Sequence, residues 1–225
     1  MDEPTASSLD QALANLEPGS HLGWFYASER DHKAVITAFL AHALKRREKA
    51  VYIVDQHPPS TIAGYLWEAG IEAGQYLASE QLTLLSVQGT YMHERVFSPE
   101  AMLARLRRET EQTVAAGYRG LRVTGEMTWA LEGYPGSEQL IEYEAKVNDL
   151  FEHLPCIGLC QYDVRRFAPG LLLEAMRTHP LVLVGIELHR NPSYSPHGPF
   201  QDAEAAQAQL RAWLDHLTAS SASRN

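Results

Sequence analysis

The chain has 225 residues, 45% hydrophobic and 21% charged, with 19 Lys and Arg against 28 Asp and Glu for a formal net charge of −9. That composition supplies a sizeable apolar core and excludes disorder over most of the length. The acidic balance, without a block of five or six basic residues, argues against a surface that gathers phosphates and so against direct nucleic-acid binding.

Residues 1–20 are polar and acidic, without the apolar segment of a signal peptide, and nowhere do about 18 apolar residues run together. A cytoplasmic protein with no membrane contact is expected. This N-terminal arm holds a short amphipathic piece over residues 9–16 that reads equally as a helix or as a loose arm, and the folded domain is expected to start at His21 and run to residue 195. Six short apolar runs read as strands: HLGWFYA (21–27), AVYIV (50–54), LTLLS (82–86), GLRVT (120–124), CIGLCQY (156–162) and LVLVGIE (181–187). Helix signals lie between them. Ser28 with Asp31 has the spacing of a capping box, Ser98-Pro99 that of an N-cap with proline at the first helical position, Ser137 precedes an amphipathic segment, and Gly70 and Gly117 stand where helices end. Strands alternating with helices predict an α/β fold, with a mostly parallel central sheet and helices on both faces. A Pro/Ser/Gly-rich loop after Pro192 then leads to a last amphipathic helix over residues 203–217 and a frayed tail, with Leu210, Trp213 and Leu217 on one side. Cys156 and Cys160 lie about 13 Å apart if both are on one strand, beyond disulfide reach, and read as reduced thiols.

Ligands of such sheets bind beyond the carboxyl ends of the strands, so the residues there carry the most weight. Tyr26, Asp55, Tyr91, Glu126, Trp129, Tyr162 and Asp163 follow or end the apolar runs, as do His189 and Arg190. The turn after the first strand, Tyr26-Ala27-Ser28-Glu29-Arg30-Asp31, has neither the glycines nor the lysine of a phosphate loop and carries two carboxylates, so hydrolysis of ATP in the usual P-loop manner is not expected. The ten histidines show no HExxH, no HxH and no Cys/His zinc spacing, so no metal is assigned. No nucleophile elbow is present, and no catalytic residue or cofactor is named. Arg122 lies inside an apolar strand, where an unpaired arginine is costly; Glu126 or Glu144 is its expected partner.

Several of these segments together carry a family pattern: His21-Leu22 with Tyr26, AVYIVDQ (50–56), GLRVTGEMTW (120–129), Tyr143-Glu144, CQYD (160–163) with Phe167, and His179-Pro180. The chain resembles the MEDS domain, the methanogen/methylotroph DcmR-type sensory domain, over about residues 18–195. The resemblance implies a degenerate relative of the RecA/KaiC-like ATPases whose P-loop has been lost. It implies a non-enzymatic domain of signalling proteins and transcription regulators that senses small molecules, hydrocarbon derivatives among them. The ligand-binding residues expected on this basis and from the rim are His21, Tyr26, Asp55, Tyr91, Arg122, Glu126, Trp129, Tyr143, Glu144, Cys160, Tyr162 and Asp163. With no output domain after residue 195, signalling is expected through a separate partner such as a kinase or regulator, or through a homodimer. The alternatives are a nucleotide-binding protein that does not hydrolyse, an adaptor that docks a kinase or regulator, and an enzyme or cofactor carrier using Glu126, Asp163 and either Cys160 or a histidine.

Overall fold

The computed structural model describes residues 6–93, 95–195, 207 and 210–212. The expected last helix and its Trp213/Leu217 face fall mostly outside them. Leu210 is described and joins an apolar cluster on one face of the sheet.

The N-terminal piece is a helix, α1 (Ala6–Ala14), whose Leu9 and Leu13, with Leu16 beyond it, are buried with residues of α2 (Glu29–Lys45). The caps read from the sequence form at two helices. Ser28 Oγ accepts from the Asp31 amide at 3.1 Å ahead of α2, and Ser98 Oγ accepts from the Ala101 amide at 3.2 Å ahead of α5 (Pro99–Ala115). Gly70 and Gly117 take φ of +78° and +88° just past α3 (Pro59–Glu68) and α5, the left-handed turn that glycine adopts without strain. Ser137 is not a cap: it opens a single 3-10 turn, and α6 (Leu140–Phe151) starts after Gln139 with no side-chain cap.

Among the described residues, seven strands form one sheet in the order β3-β2-β6-β7-β1-β8-β9. They are β1 (His21–Tyr26), β2 (Lys49–Val54), β3 (Leu82–Ser86), β6 (Leu121–Glu126), β7 (Cys156–Asp163), β8 (Leu181–Val184) and β9 (Glu187–Arg190). All pairings are parallel except β8–β9. The run 181–187 therefore is not one strand. Gly185, at φ +56°, turns it back, and its carbonyl accepts from Trp24 Nε1 at 2.9 Å. His189 and Arg190 consequently pair with Val182 and Leu181, back toward the start of β8 and away from the carboxyl-end rim where the sequence placed them. A two-stranded hairpin of β4 (Met92–His93) and β5 (Val96–Phe97) also lies ahead of α5.

Alternation along the strands sends side chains to two separate cores. Face one, under α5, α6 and α7 (Pro169–Arg177), takes Phe25, Val51, Ile53, Val123, Cys160 and Tyr162; face two, under α1 to α4 (Ala73–Ala78), takes Leu22, Trp24, Tyr26, Tyr52, Ile157 and Leu159. Each Leu- or Phe-sized side chain buried there stabilises the fold by about 1.5–3 kcal/mol. Gly23 and Gly158 interrupt face one. A Cβ at Gly23 would lie 2.9 Å from the His179 ring and one at Gly158 2.4 Å from the Phe151 ring, so these two glycines admit rings that any other residue would displace. Among the described residues no helix is long and apolar enough to cross a membrane.

Candidate functional site

The residues singled out in the sequence fall into two constellations on opposite faces of the sheet, with one residue apart from both. On face one the centre is Glu144, fully buried on α6. Its Oε1 accepts from the Tyr162 hydroxyl at 2.5 Å, while Oε2 lies 3.2 Å from Cys160 Sγ, 3.3 Å from His21 Nε2 and 3.4 Å from His179 Nε2. Burial alone would push this carboxyl up, yet the two histidines hold it well below the usual carboxylate range. Burial, reinforced by Glu144, pushes Cys160 and Tyr162 well up, so both keep their protons in the bare cluster.

The tautomers follow from the outer contacts. Asn148 Nδ2 donates to the carbonyls of Glu144, Ala145 and Thr178, which leaves its Oδ1 to accept from His21 Nδ1 at 3.0 Å. His179 Nδ1 donates to the Ala175 carbonyl at 2.6 Å. Both imidazoles are thus anchored through Nδ1, and both aim Nε2 at Glu144.

Beside this cluster is a cavity of about 20 Å³ lined by His21, Cys160, Tyr91, Tyr143 and Gly125, with Met102, Leu106 and Val123 on its apolar side. One water needs about 10–15 Å³ by this measure. The Tyr91 hydroxyl occupies the place of a side chain at Gly125, 2.5 Å from where a Cβ would stand. Trp129 stacks on Tyr91 at 5.0 Å and leans on Phe97 at 4.6 Å, backing Tyr91 with rings. His21, Tyr91, Trp129, Tyr143, Glu144, Cys160 and Tyr162 are therefore brought together.

The second constellation is the rim on face two. Glu126, at the end of β6, accepts from the Tyr52 hydroxyl at 2.7 Å, from His57 Nδ1 at 3.1 Å, and from the backbone amides of Asp55, Gln56 and His57. His57 Nε2 reaches Glu29 at 2.9 Å, and Glu29 is bridged by Arg165 to Asp163. Burial opposes the charge on His57, but its hydrogen bonds to Glu126 and Glu29 raise its pKa. His32 stacks on His57 at 3.8 Å; burial, then the neighbouring charge, lowers it to about 4. Hydrogen bonds from His57 and then Arg165 hold Glu29 down at about 2. Asp55 accepts from Thr128 at 2.5 Å, and Tyr26 packs against Trp24 and His32. Tyr26, Asp55, Glu126 and Asp163 thus share a network whose carboxylates already hold protein donors. It fills the ground beyond β1 and at the start of α2, where sheets of this kind receive phosphates.

Arg122 belongs to neither. Its Nε donates to Glu48 at 2.6 Å and Nη1 to the Leu13 carbonyl at 3.3 Å, with the guanidinium 5.1 Å from the Phe39 ring centre. The partner is Glu48, not Glu126 or Glu144, and the pair ties α1 to the start of β2. The sequence reading left out His179, Asn148, Phe151, Tyr52, Gln161, His32 and His57 as site residues. His32 shares the i, i+3, i+4 stripe of Val35, Ile36 and Phe39, where a histidine reads as core. His179 was within reach, since His179-Pro180 is part of the family pattern.

This architecture, a mostly parallel sheet with helices on both faces, is similar to that of a KaiC-like protein of known structure. The chain superposes on the KaiC-like protein of the hyperthermophilic archaeon Pyrococcus horikoshii with a TM-score of 0.52, at 12% identity, over 77% of this chain and 76% of that one, a likeness of fold alone. The chain belongs to the MEDS family, the MEthanogen/methylotroph, DcmR Sensory domain, whose family model matches residues 20–180. It is also 37% identical over 79 residues to the transcriptional repressor DcmR of Methylorubrum extorquens. That match covers 35% of this chain and 30% of the repressor. The coarse function is accordingly sensory.

Proposed function

We propose that this domain is a cytoplasmic, non-enzymatic sensor that takes a molecule of one-carbon size into the cavity on face one and passes its occupancy to a separate signalling partner or to a second copy. The cavity itself carries the reading. It offers about 20 Å³, too little for a nucleotide or an aromatic metabolite, and it sets apolar walls against the imidazole of His21, the thiol of Cys160 and the hydroxyls of Tyr91 and Tyr143. Such a lining suits a small hydrocarbon derivative with one polar or polarisable end. The family's sensory role and the DcmR likeness agree with it. The site lies on a face of the sheet, under α5 and α6, rather than beyond the strand ends where the sequence reading sought it.

The test is thermal unfolding in sealed cells against halomethanes, methanol, formaldehyde and formate. A compound that fits raises the stability by about 2.7 kcal/mol at a hundred times its Kd, and Leu106→Phe, which fills the cavity from α5, removes the effect. Failure of every compound to move the transition, or a shift that survives in Leu106→Phe, overturns the proposal.

A further inference from the structure

We propose that His21 Nε2, His179 Nε2, Cys160 Sγ and Glu144 Oε2 form a four-coordinate site for a divalent transition-metal ion of the zinc class. Three independent features of the cluster support this. The first is distance. Metal–ligand bonds of about 2.0–2.3 Å place the corners of a tetrahedron roughly 3.3–3.8 Å apart. The edges here are 3.3 Å from His21 to Glu144, 3.4 Å from His179 to Glu144, 3.4 Å from His21 to Cys160 and 3.2 Å from Cys160 to Glu144, and all four atoms lie within 4.8 Å of one another. The second is the outer shell. Both histidines donate Nδ1–H to a fixed oxygen, Oδ1 of Asn148 and the carbonyl of Ala175, and Tyr162 holds the carboxylate oxygen that does not face the cluster. That is how ligating side chains are oriented and their free lone pairs aimed.

The third feature is an unmet polar atom. His179 Nε2 is completely buried and has no hydrogen-bond partner among the described residues, although Glu144 is 3.4 Å away. With Nδ1 spent on the Ala175 carbonyl, Nε2 and a Glu144 oxygen face each other with no hydrogen bond between them, and a cation placed between them bonds both. Charge also balances. Binding displaces the Cys160 proton to solvent, and the thiolate and carboxylate then neutralise a divalent ion in an interior where any net charge is costly. A nitrogen, nitrogen, sulfur, oxygen set suits zinc better than calcium or magnesium, which take oxygen. The spacing motifs of zinc sites could not reveal it, because the ligands come from β1, α6, β7 and the turn after α7. The proposal does not depend on the sensing reading and stands even if the cavity takes no ligand.

The experiment is Co2+ titration of the chelator-stripped protein, followed by zinc competition and metal analysis. One equivalent is expected to bind, with the visible bands of tetrahedral cobalt and a thiolate-to-cobalt charge-transfer band. Cys160→Ser removes the charge-transfer band, and His179→Ala weakens binding by about a hundredfold or more. His57→Ala, on the opposite face, leaves both unchanged. Should a ligand variant fail to fold, X-ray absorption on the metal-loaded wild-type protein decides: it shows one sulfur beside nitrogen and oxygen neighbours if the site is as proposed. Absence of stoichiometric metal, a first shell without sulfur, or loss of binding in His57→Ala, which would move the ion to the Glu29/His32/His57 rim, overturns it.

Discussion

Removing the Glu48 carboxylate strands a guanidinium in the core, and the cost measures whether Arg122 is structural. The Arg122 side chain is 0% exposed and that of Glu48 7%. The pair is joined at 2.6 Å, the Leu13 carbonyl supplies a weaker contact at 3.3 Å, and Nη2 has no partner among the described residues. Glu48→Ala therefore leaves a buried, uncompensated cation, for which about 3–5 kcal/mol is expected, a large share of the roughly 5–15 kcal/mol that holds a domain together. Combining Glu48→Leu with Arg122→Met removes the buried charges and their desolvation together; Arg46, which also donates to Glu48, is 36% exposed and keeps the Ala14 carbonyl, so the double variant should return to within about 1 kcal/mol of the parent. Urea unfolding of the parent, both single variants and the double variant gives the coupling energy, provided the slopes agree. A Glu48→Ala variant within about 1 kcal/mol of the parent, or a double variant as unstable as the single, would refute the reasoning. The double variant also separates Arg122 from sensing, since any small-molecule stabilisation seen in the parent should persist in it.

The rim gives a pH prediction with opposite signs on its two histidines. His57 has a raised pKa in the fold, so its contribution is full below about pH 6.5, its unfolded value, and fades as pH rises through the folded one. His32 is lowered to about 4; between pH 6.5 and 4 the unfolded chain takes up a proton that the fold refuses, and stability falls on acidification by on the order of 2–3 kcal/mol. Urea unfolding across pH 4 to 9 should therefore peak near pH 6.5, and an acid limb unchanged in His32→Gln would remove His32 as its cause. Gly158→Ala drives a methyl to 2.4 Å from the Phe151 ring and should cost about 1–3 kcal/mol; a melting temperature equal to the parent's would contradict the packing of Phe151. Calorimetry with ATP and ADP should give no saturable heat, because the carboxylates of Glu29, Glu126 and Asp163 crowd the phosphate position; a binding isotherm would restore the nucleotide reading.

Much of the fold was legible because its signals are local. Ser28, Ser98, Gly70 and Gly117 act within one turn of the chain, and five of the six apolar runs end within two residues of a parallel strand's end. What escaped depended on contacts distant in sequence. Gly185 sits inside an apolar run, and it is contacts from β1, the Trp24 indole on its carbonyl and the Phe25 carbonyl on its amide, that mark it as a turn. The β4–β5 strands are two residues each, shorter than any alternation can display. Ser137 has the residue type of a cap, but the chain makes a 3-10 turn there before α6 begins.

The site was legible as a set of residues and illegible as a geometry, for a reason that lies in the period of a strand. Within β1, His21 and Tyr26 stand an odd number of positions apart and so must face opposite ways, a split visible from spacing alone. Between strands the same question needs the register, and it is the pairing of His21 with Gly158 that turns Cys160 toward His21 while Gln161 faces Tyr52 and His32. Arg122 and Glu126 share a face, but at about 3.3 Å per residue they stand some 13 Å apart, which already forbids their pairing. The true partner enters through the register of Lys49 with Leu121, which carries Glu48 to the foot of β6. Within β7 parity separates the two chemistries that the sequence interleaves. Cys160 and Tyr162 turn to Glu144 and His21 beside a small cavity, and Asp163, one position on, turns to the other face, where Arg165 links it to Glu29 in the ion-pair network at the rim.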